Sequence, residues 1–370
     1  MTRRVGALLV GLVVGGLLLE FGLRAFGRGG AGARVERVFD AAYGEVPRDS
    51  WIFDFAIDPT RHRAVDLRGQ LIPLDKPAGE TRVLFVGDSA TEGAFVAPDA
   101  AYPRVFERLL TERTPPHRVR AINAGVWGMT TIDEYHLLRD KLLPLAPDVV
   151  IVGLFMANDI NFNLVHVERR REGGAPAWID ALRARSALAD TLFVQALTLG
   201  QRWRWFDAQT AQPRWLPVEA RVVDEYGLHL ANYPEGELAT YVRRPSPLVD
   251  HAFAVLRGVL RDFQTLGTER GFSLRVLIIP TASMVAERLA IVAHPDILEE
   301  LRVRGITLSR GDLDVGLPLR RVHAICDDLG LICVDPTTRL KRIGLGAFFP
   351  HDEHPTTAGH RALAETLAND

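Results

Sequence analysis

Arg82-Val-Leu-Phe-Val-Gly-Asp-Ser-Ala-Thr-Glu-Gly93 is the stretch on which the reading of the fold turns. An unbroken apolar run, Val83 to Val86, ends in Gly87-Asp88. Such a run, closed by a turn signal, marks a strand covered on both faces, the setting of strands in a parallel sheet. The glycines at 87 and 93 allow a tight turn that presents Ser89 at the sheet edge. Taken alone, Gly-Asp-Ser is a common strand-to-helix turn. A phosphate-cradling loop is a second reading, although the P-loop pattern with its lysine is absent.

Downstream, strand and helix patterns alternate. Helical spacing over Tyr102 to Leu110 is followed by a strand at Val119 to Asn123, a helix over Thr131 to Leu143 and a strongly apolar strand over Asp148 to Phe155. After an interruption come a helix over Val249 to Leu266, a strand over Leu274 to Pro280, a helix over Leu317 to Leu329, a strand over Leu331 to Asp335 and a closing helix over Thr357 to Leu367. Strands separated by helices predict right-handed crossovers, hence an α/β fold of about five parallel strands with helices on both faces. The interruption, about residues 160–245, is rich in arginine, holds Trp203, Trp205 and Trp215, and shows no clear strand pattern. It reads as an insertion that forms a lid or groove, or a structural elaboration.

Residues 31–80 read as an irregular lead-in punctuated by Pro47, Pro59, Pro73 and Pro77, so the globular domain spans 81–370. Residues 1–30 differ: Arg3-Arg4 precede an apolar run from Val5, interrupted by Glu20 and continued to Phe26. A basic flank before an apolar core suits export. A full span takes about 20 apolar residues, which Val5 to Phe26 provides if Glu20 and Arg24 lie at the outer interface. The expectation is a single membrane-anchoring helix with the body outside the cytoplasm. Cleavage near Ala31-Gly-Ala33, giving a secreted body, is the alternative. The formal net charge of -2 leaves no basic footprint, so nucleic acid is not an expected partner. Cys326 and Cys333 sit on apolar patterns; export permits a disulfide, but free buried thiols are the plainer reading.

Four polar patches fall at strand ends, where open parallel sheets bind ligands. Gly87 to Gly93 carries Ser89. Asn123-Ala-Gly-Val-Trp-Gly128 follows the second strand, and Ala157-Asn158-Asp159 the third. Glycine lets a backbone N–H approach a ligand, and an Asn side chain supplies a donor where an oxyanion develops. The fourth patch is Asp352-Glu-His-Pro355. There His354 is placed to take a proton from Ser89, with Asp352 orienting the ring. His360 falls inside the closing helix and reads as packing or surface, and His351 precedes the carboxylate instead of following it.

These patches, in this order, resemble the SGNH hydrolase superfamily, also called GDSL esterases, from about Asp66 to the C-terminus with the insertion unmatched. Gly87-Asp88-Ser89 resembles the block with the nucleophile. Gly128 falls where that family has an oxyanion-hole amide. Met156-Ala-Asn-Asp159 resembles a Gly-x-Asn-Asp block, with Met156 in place of the glycine and Asn158 as side-chain donor. One residue separates Asp352 from His354, where the most familiar form has two; alginate-acetylating relatives and many membrane-anchored bacterial members have a similar pair. Leu67-Arg-Gly, Lys76-Pro and Arg82 also look like the anchored bacterial proteins. The resemblance implies a three-layer flavodoxin-like sandwich and a bacterial inner-membrane protein with a periplasmic body. It implies a Ser89–His354–Asp352 triad, with the Ser89 and Gly128 amides and the Asn158 side chain as oxyanion hole. The expected activity is hydrolysis of ester-linked acyl groups, O-acetyl foremost, on a small molecule or a glycan, without metal or organic cofactor. O-acetyl transfer to a surface polysaccharide, a non-catalytic glycan-binding module and a flavodoxin-like nucleotide binder are the competing readings.

Overall fold

The computed structural model describes residues 71–113, 118–172 and 222–370, with short pieces at 14–16, 18–22, 37–40, 44–47, 57–58, 63–65, 182, 185–186 and 188; side chains are described only as far as 168 in the middle stretch. Its centre is a five-stranded sheet. The strands are β1 (Glu80–Gly87), β2 (Arg118–Gly125), β3 (Val149–Phe155), β4 (Ser273–Ile279) and β5 (Ile332–Val334), in the spatial order β5-β4-β3-β1-β2. All neighbours are parallel. This is the doubly wound α/β order in which the switch point falls between β1 and β3, where a crevice opens beyond the strand ends.

Both faces of the sheet are buried, as the continuous apolar runs require. Val83 and Phe85 of β1 pack with Ala121, Ile151, Leu277 and Ile279 into one core. Helices α2 (Tyr102–Arg113) and α11 (Thr357–Leu367) cover that face through Tyr102, Phe106, Leu363 and Leu367. Successive strand residues point to opposite sides, so Leu84, Val86, Ile122, Val150 and Val152, none more than 0% exposed, face the other way. Helices α3 (Thr131–Leu137) and α6 (Pro247–Arg270) lie on that second face. At the start of β1, the fully buried Arg82 is paired with Glu80 at 2.9 Å and donates to the Leu145 carbonyl at 2.7 Å and the Pro73 carbonyl at 2.6 Å.

Between them come α1 (Ser89–Glu92), α4 (Asp159–Glu172), α5 (Glu235–Tyr241), α7 (Ala282–Ala286), α8 (Ile297–Val303), α9 (Leu317–Leu329) and α10 (Thr337–Ile343). α1 sits hard against the strand ends. A Cβ on Gly87, Gly125 or Gly153 would collide with Thr91, so β1 and β2 end in glycine and β3 carries one two residues before its end, which lets this turn approach.

Four expectations are revised or filled in. The lead-in is not wholly irregular: Arg37–Asp40 pairs antiparallel with Gly44–Pro47, and Ile57–Asp58, Arg63–Val65 and Leu71–Pro73 form a small antiparallel sheet. The helix over Thr131 to Leu143 keeps α form only to Leu137, then continues as a π turn over Leu138–Leu142 and a 3-10 turn over Leu143–Leu145, in which Pro144 cannot donate a ladder bond. Residues assigned to the insertion include two ordered helices, α4 and α5, and α5 is buried along its whole length. Cys326 of α9 and Cys333 of β5 form a disulfide instead of resting as free thiols, their Cα atoms being 6.2 Å apart.

The chain divides into two compact units. One comprises residues 50–168 and 222–370 and carries the sheet. The other comprises 1–49 and 169–221; within it the Glu20 carboxylate accepts from the Ser186 hydroxyl at 2.9 Å and the Leu188 N–H at 2.8 Å. Trp203, Trp205, Trp215 and most of the N-terminal apolar run lie outside the described residues. Among the described residues no helix is long and apolar enough to cross a membrane.

Candidate active site

Ser89 opens α1 directly beyond β1 and is 5% exposed. Asp88 caps this turn by accepting from the Ala90 N–H at 2.9 Å, which fixes the direction in which Ser89 leaves the strand. Ser89 Oγ lies 2.7 Å from His354 Nε2. On the far side of the imidazole, Nδ1 is hydrogen-bonded to Asp352 Oδ1. The same carboxylate oxygen accepts from the His354 backbone N–H at 2.8 Å, closing a two-residue turn that locks aspartate and histidine together. With Nδ1–H donated to Asp352, the Nε2 lone pair is left facing the serine hydroxyl. Serine and histidine, 265 positions apart in sequence, are therefore joined by one contact at the sheet edge.

The histidine ring is set among aromatic groups. Trp127 stacks on it, with centroids 5.5 Å apart and planes 20° from parallel. Phe95 meets it edge-on at 5.3 Å, and Phe155 lies tilted at 5.7 Å. Trp127 and Phe95 are 57% and 60% exposed, so the same rings form part of the site's rim. Phe95 holds a positive φ of 65°, unusual for a bulky residue and costing about 1–3 kcal/mol.

The residues expected to supply oxyanion donors come from the two strands beside β1. Asn158 stands just beyond β3, and its Nδ2 donates to Asp88 Oδ2 at 2.9 Å. An amide nitrogen has two hydrogens, so this bond orients the group and leaves the second for a ligand. Gly128 ends the turn after β2 with φ 77°, in the left-handed region. Nothing would obstruct a Cβ there, so the backbone conformation is what calls for glycine. The turn is tied down by Val126 N–H to the Gly87 carbonyl at 2.8 Å and Trp127 N–H to Glu92 Oε2 at 2.9 Å.

Behind the site lies a group of buried acids. Burial pushes the Asp88 carboxyl up to about 6, although the bonds from Asn158 and Ala90 oppose this. Asp159 and Glu134 are driven well above the usual carboxylate range, first by burial and then by the charges of neighbouring acids. Asp159 accepts from the Phe155 N–H at 2.7 Å and so braces the turn that carries Asn158.

All five expected residues thus lie at the carboxyl edge of the sheet, and Ser89, His354 and Asp352 form one hydrogen-bonded chain. His360 is fully buried and stacks on Tyr102 at 6.0 Å; His351 is exposed. Sequence reasoning gave no role to Trp127, Phe95, Asp88 or Glu353. Trp127, Asp88 and Glu353 lay inside patches already singled out, whereas no local signal marks Phe95.

Three comparisons bear on identity. A search of curated proteins finds no match. Among solved structures, an acetylxylan esterase (Axe2) from Geobacillus stearothermophilus is 14% identical, over 78% of this chain and 93% of that one, with a TM-score of 0.39. LAE5, an alpha/beta hydrolase enzyme from the metagenome of Lake Arreo, Spain, is 15% identical over 78% and 93%, also at 0.39. A two-domain esterase (CEX) active on acetylated mannans is 14% identical, over 79% of this chain and 49% of that one, at 0.40. Likeness at this level says nothing about substrate. The model of the GDSL-like lipase/acylhydrolase family matches residues 85–252, a little under half of the chain. That segment holds Ser89, Gly128 and Asn158 at the ends of three adjacent strands, and over it the protein is similar to the GDSL-like lipase/acylhydrolase family.

Proposed function

We propose that this enzyme is a serine esterase that cleaves short ester-linked acyl groups, O-acetyl foremost, from an extracytoplasmic glycan or a related alcohol. The observation that carries the reading is the 2.7 Å contact between Ser89 Oγ and His354 Nε2, with Asp352 on the opposite ring nitrogen. A general base must lie within about 2.6–3.2 Å of the proton it takes, and His354 does.

In the first step the Ser89 oxygen attacks the ester carbonyl while its proton passes to Nε2. The imidazolium that forms is stabilised by Asp352 and by the face of Trp127. The carbonyl oxygen, now an anion, is received by the Ser89 and Gly128 amides and by the second N–H of Asn158. Collapse breaks the bond to the alcohol, which leaves with the proton from Nε2. Water then adds to the acyl-enzyme with His354 again as base, releasing the carboxylic acid and restoring Ser89. A serine only 5% exposed favours a short acyl chain. Trp127 and Phe95 touch the ring that hands over the leaving-group proton, so they flank the alcohol side, where a flat ring face suits a sugar. The basic flank and apolar run of residues 1–26 support export and tethering at the membrane.

The test is turnover of p-nitrophenyl acetate and of acetylated oligosaccharides, together with labelling by a fluorophosphonate. Ser89→Ala is expected to abolish both while leaving the melting temperature unchanged. Undiminished hydrolysis in that variant would refute the reading. Acetyl appearing on an added oligosaccharide instead of as free acetate would identify a transferase.

A further inference from the structure

Glu353 lies between Asp352 and His354, and the chemistry above does not use it. It is 4% exposed, and each of its oxygens has its own backbone donor. Oε1 accepts from the Val292 N–H at 2.9 Å, and Oε2 from the Ala282 N–H at 3.3 Å. Ala282 is the first residue of α7, and Val292 lies in the segment between α7 and α8. One side chain therefore grips two points of the connection that follows β4.

The loop also closes on itself. Phe349 N–H meets the His354 carbonyl at 3.1 Å, Asp352 N–H the Phe349 carbonyl at 3.2 Å, and Thr356 N–H the Ala347 carbonyl at 2.8 Å. These bonds shape residues 347–356, and Glu353 ties that shape to the connection after β4.

We infer that Glu353 is a positioning residue for the Ser89–His354 pair: its two-pronged acceptance from Val292 and Ala282 sets the height and rotation of the Asp352–His354 turn over the nucleophile. The inference rests on the functional reading just given. A carboxylate is required because both prongs must accept. A glutamine of the same shape offers one oxygen and one NH2, so one prong would face a backbone N–H donor to donor. An aspartate is one methylene too short to reach both amides. A displacement of about 1 Å at a base can cost on the order of 10²-fold in rate without loss of fold.

The experiment compares wild type, Glu353→Gln and Glu353→Ala in the full chain. It reads p-nitrophenyl acetate kinetics across pH, thermal melting, and the downfield proton resonance of His354 Nδ1–H. Glu353→Gln is expected to lower kcat by about tenfold or more, leave KM within about twofold, and shift or broaden the His354 resonance with the melting temperature little changed. Glu353→Ala, which strips both amides of their acceptor, is expected to lower kcat further. Wild-type kcat and resonance in Glu353→Gln would overturn the inference, as would a loss of kcat no larger than the unfolded fraction explains. If that variant does not fold, Ala282→Pro, which removes one of the two N–H donors at a first helical position that accepts proline, takes its place. A measurable drop in kcat at constant KM supports the inference there, and an unchanged kcat overturns it. The His354 resonance needs no turnover. Should Ser89→Ala remain active, the functional reading falls while the grip of Glu353 is still read directly.

Discussion

Ser89 and His354 arrive at the same hydrogen bond from supports of different construction. Ser89 stands at the end of β1, an interior strand of the sheet, where Gly87, Gly125 and Gly153 make room for Thr91. Its position follows from strand, cap and turn within a few residues. His354 hangs on an irregular loop between α10 and α11, braced by bonds and ring contacts: Asp352 to its own turn, Glu353 to the β4 connection, Trp127 against the ring. A group set by regular structure needs little bracing. One set by a loop needs brackets, and the brackets are residues with no reactive part. The nucleophile side is therefore expected to tolerate changes around it better than the base side does.

The largest effect strikes both sides alike. Ser89→Ala and His354→Ala are each expected to lower kcat by about 10³-fold or more, and the double variant to be scarcely worse than either, because the two act as one unit. Steady-state kinetics on p-nitrophenyl acetate check this; independent, multiplying losses would break the pairing. Next comes Asn158→Ala, expected to cost about 10²–10³-fold in kcat with little change in KM, the signature of a donor used only in the transition state. A KM effect in its place would assign Asn158 to ground-state binding.

Trp127→Leu sharpens the comparison on the base side. Exposed cation–π contacts are worth about 0.5–1 kcal/mol, so a few-fold loss of kcat/KM is expected. The smallest expected effect is on stability at the nucleophile side. Burial raises the Asp88 carboxyl from 3.8 to about 6. Between those values the folded protein binds more protons than the unfolded one, so the Asp88 contribution to stability is fullest in acid and is lost as pH rises through about 6. Urea midpoints from pH 4 to 8 should carry this slope, and Asp88→Asn, which cannot titrate and keeps one oxygen to accept from the Ala90 N–H, should reduce it. An identical slope in the variant would place the titration elsewhere, Asp224 being a second buried acid raised to about 6.

Much of this was legible before any coordinates. The strands over 82–86, 119–123, 148–155 and 274–280 could be read because apolar runs covered on both faces have no competing pattern. The helix over Leu317–Leu329 was legible to its ends, being bounded by Pro318 near its start and Gly330 just past its finish. Ser89, Asn158 and Gly128 were legible because each follows a strand. The π turn after Leu137, the ordered α4 and α5 within the expected insertion, and the Cys326–Cys333 bond were not, because each is decided by what packs on the segment from elsewhere in the chain.

The amino-acid sequence by itself determined the parallel sheet and the placing of polar residues at its carboxyl edge, since periodicity and turn chemistry act over a few neighbouring residues. Only the tertiary structure decided that His354, and neither His351 nor His360, reaches Ser89. It alone revealed Trp127, Phe95 and Glu353 as the surroundings of that ring. Contacts between residues hundreds of positions apart are set by how helices and loops pack on the sheet, and no local pattern encodes the distance that results.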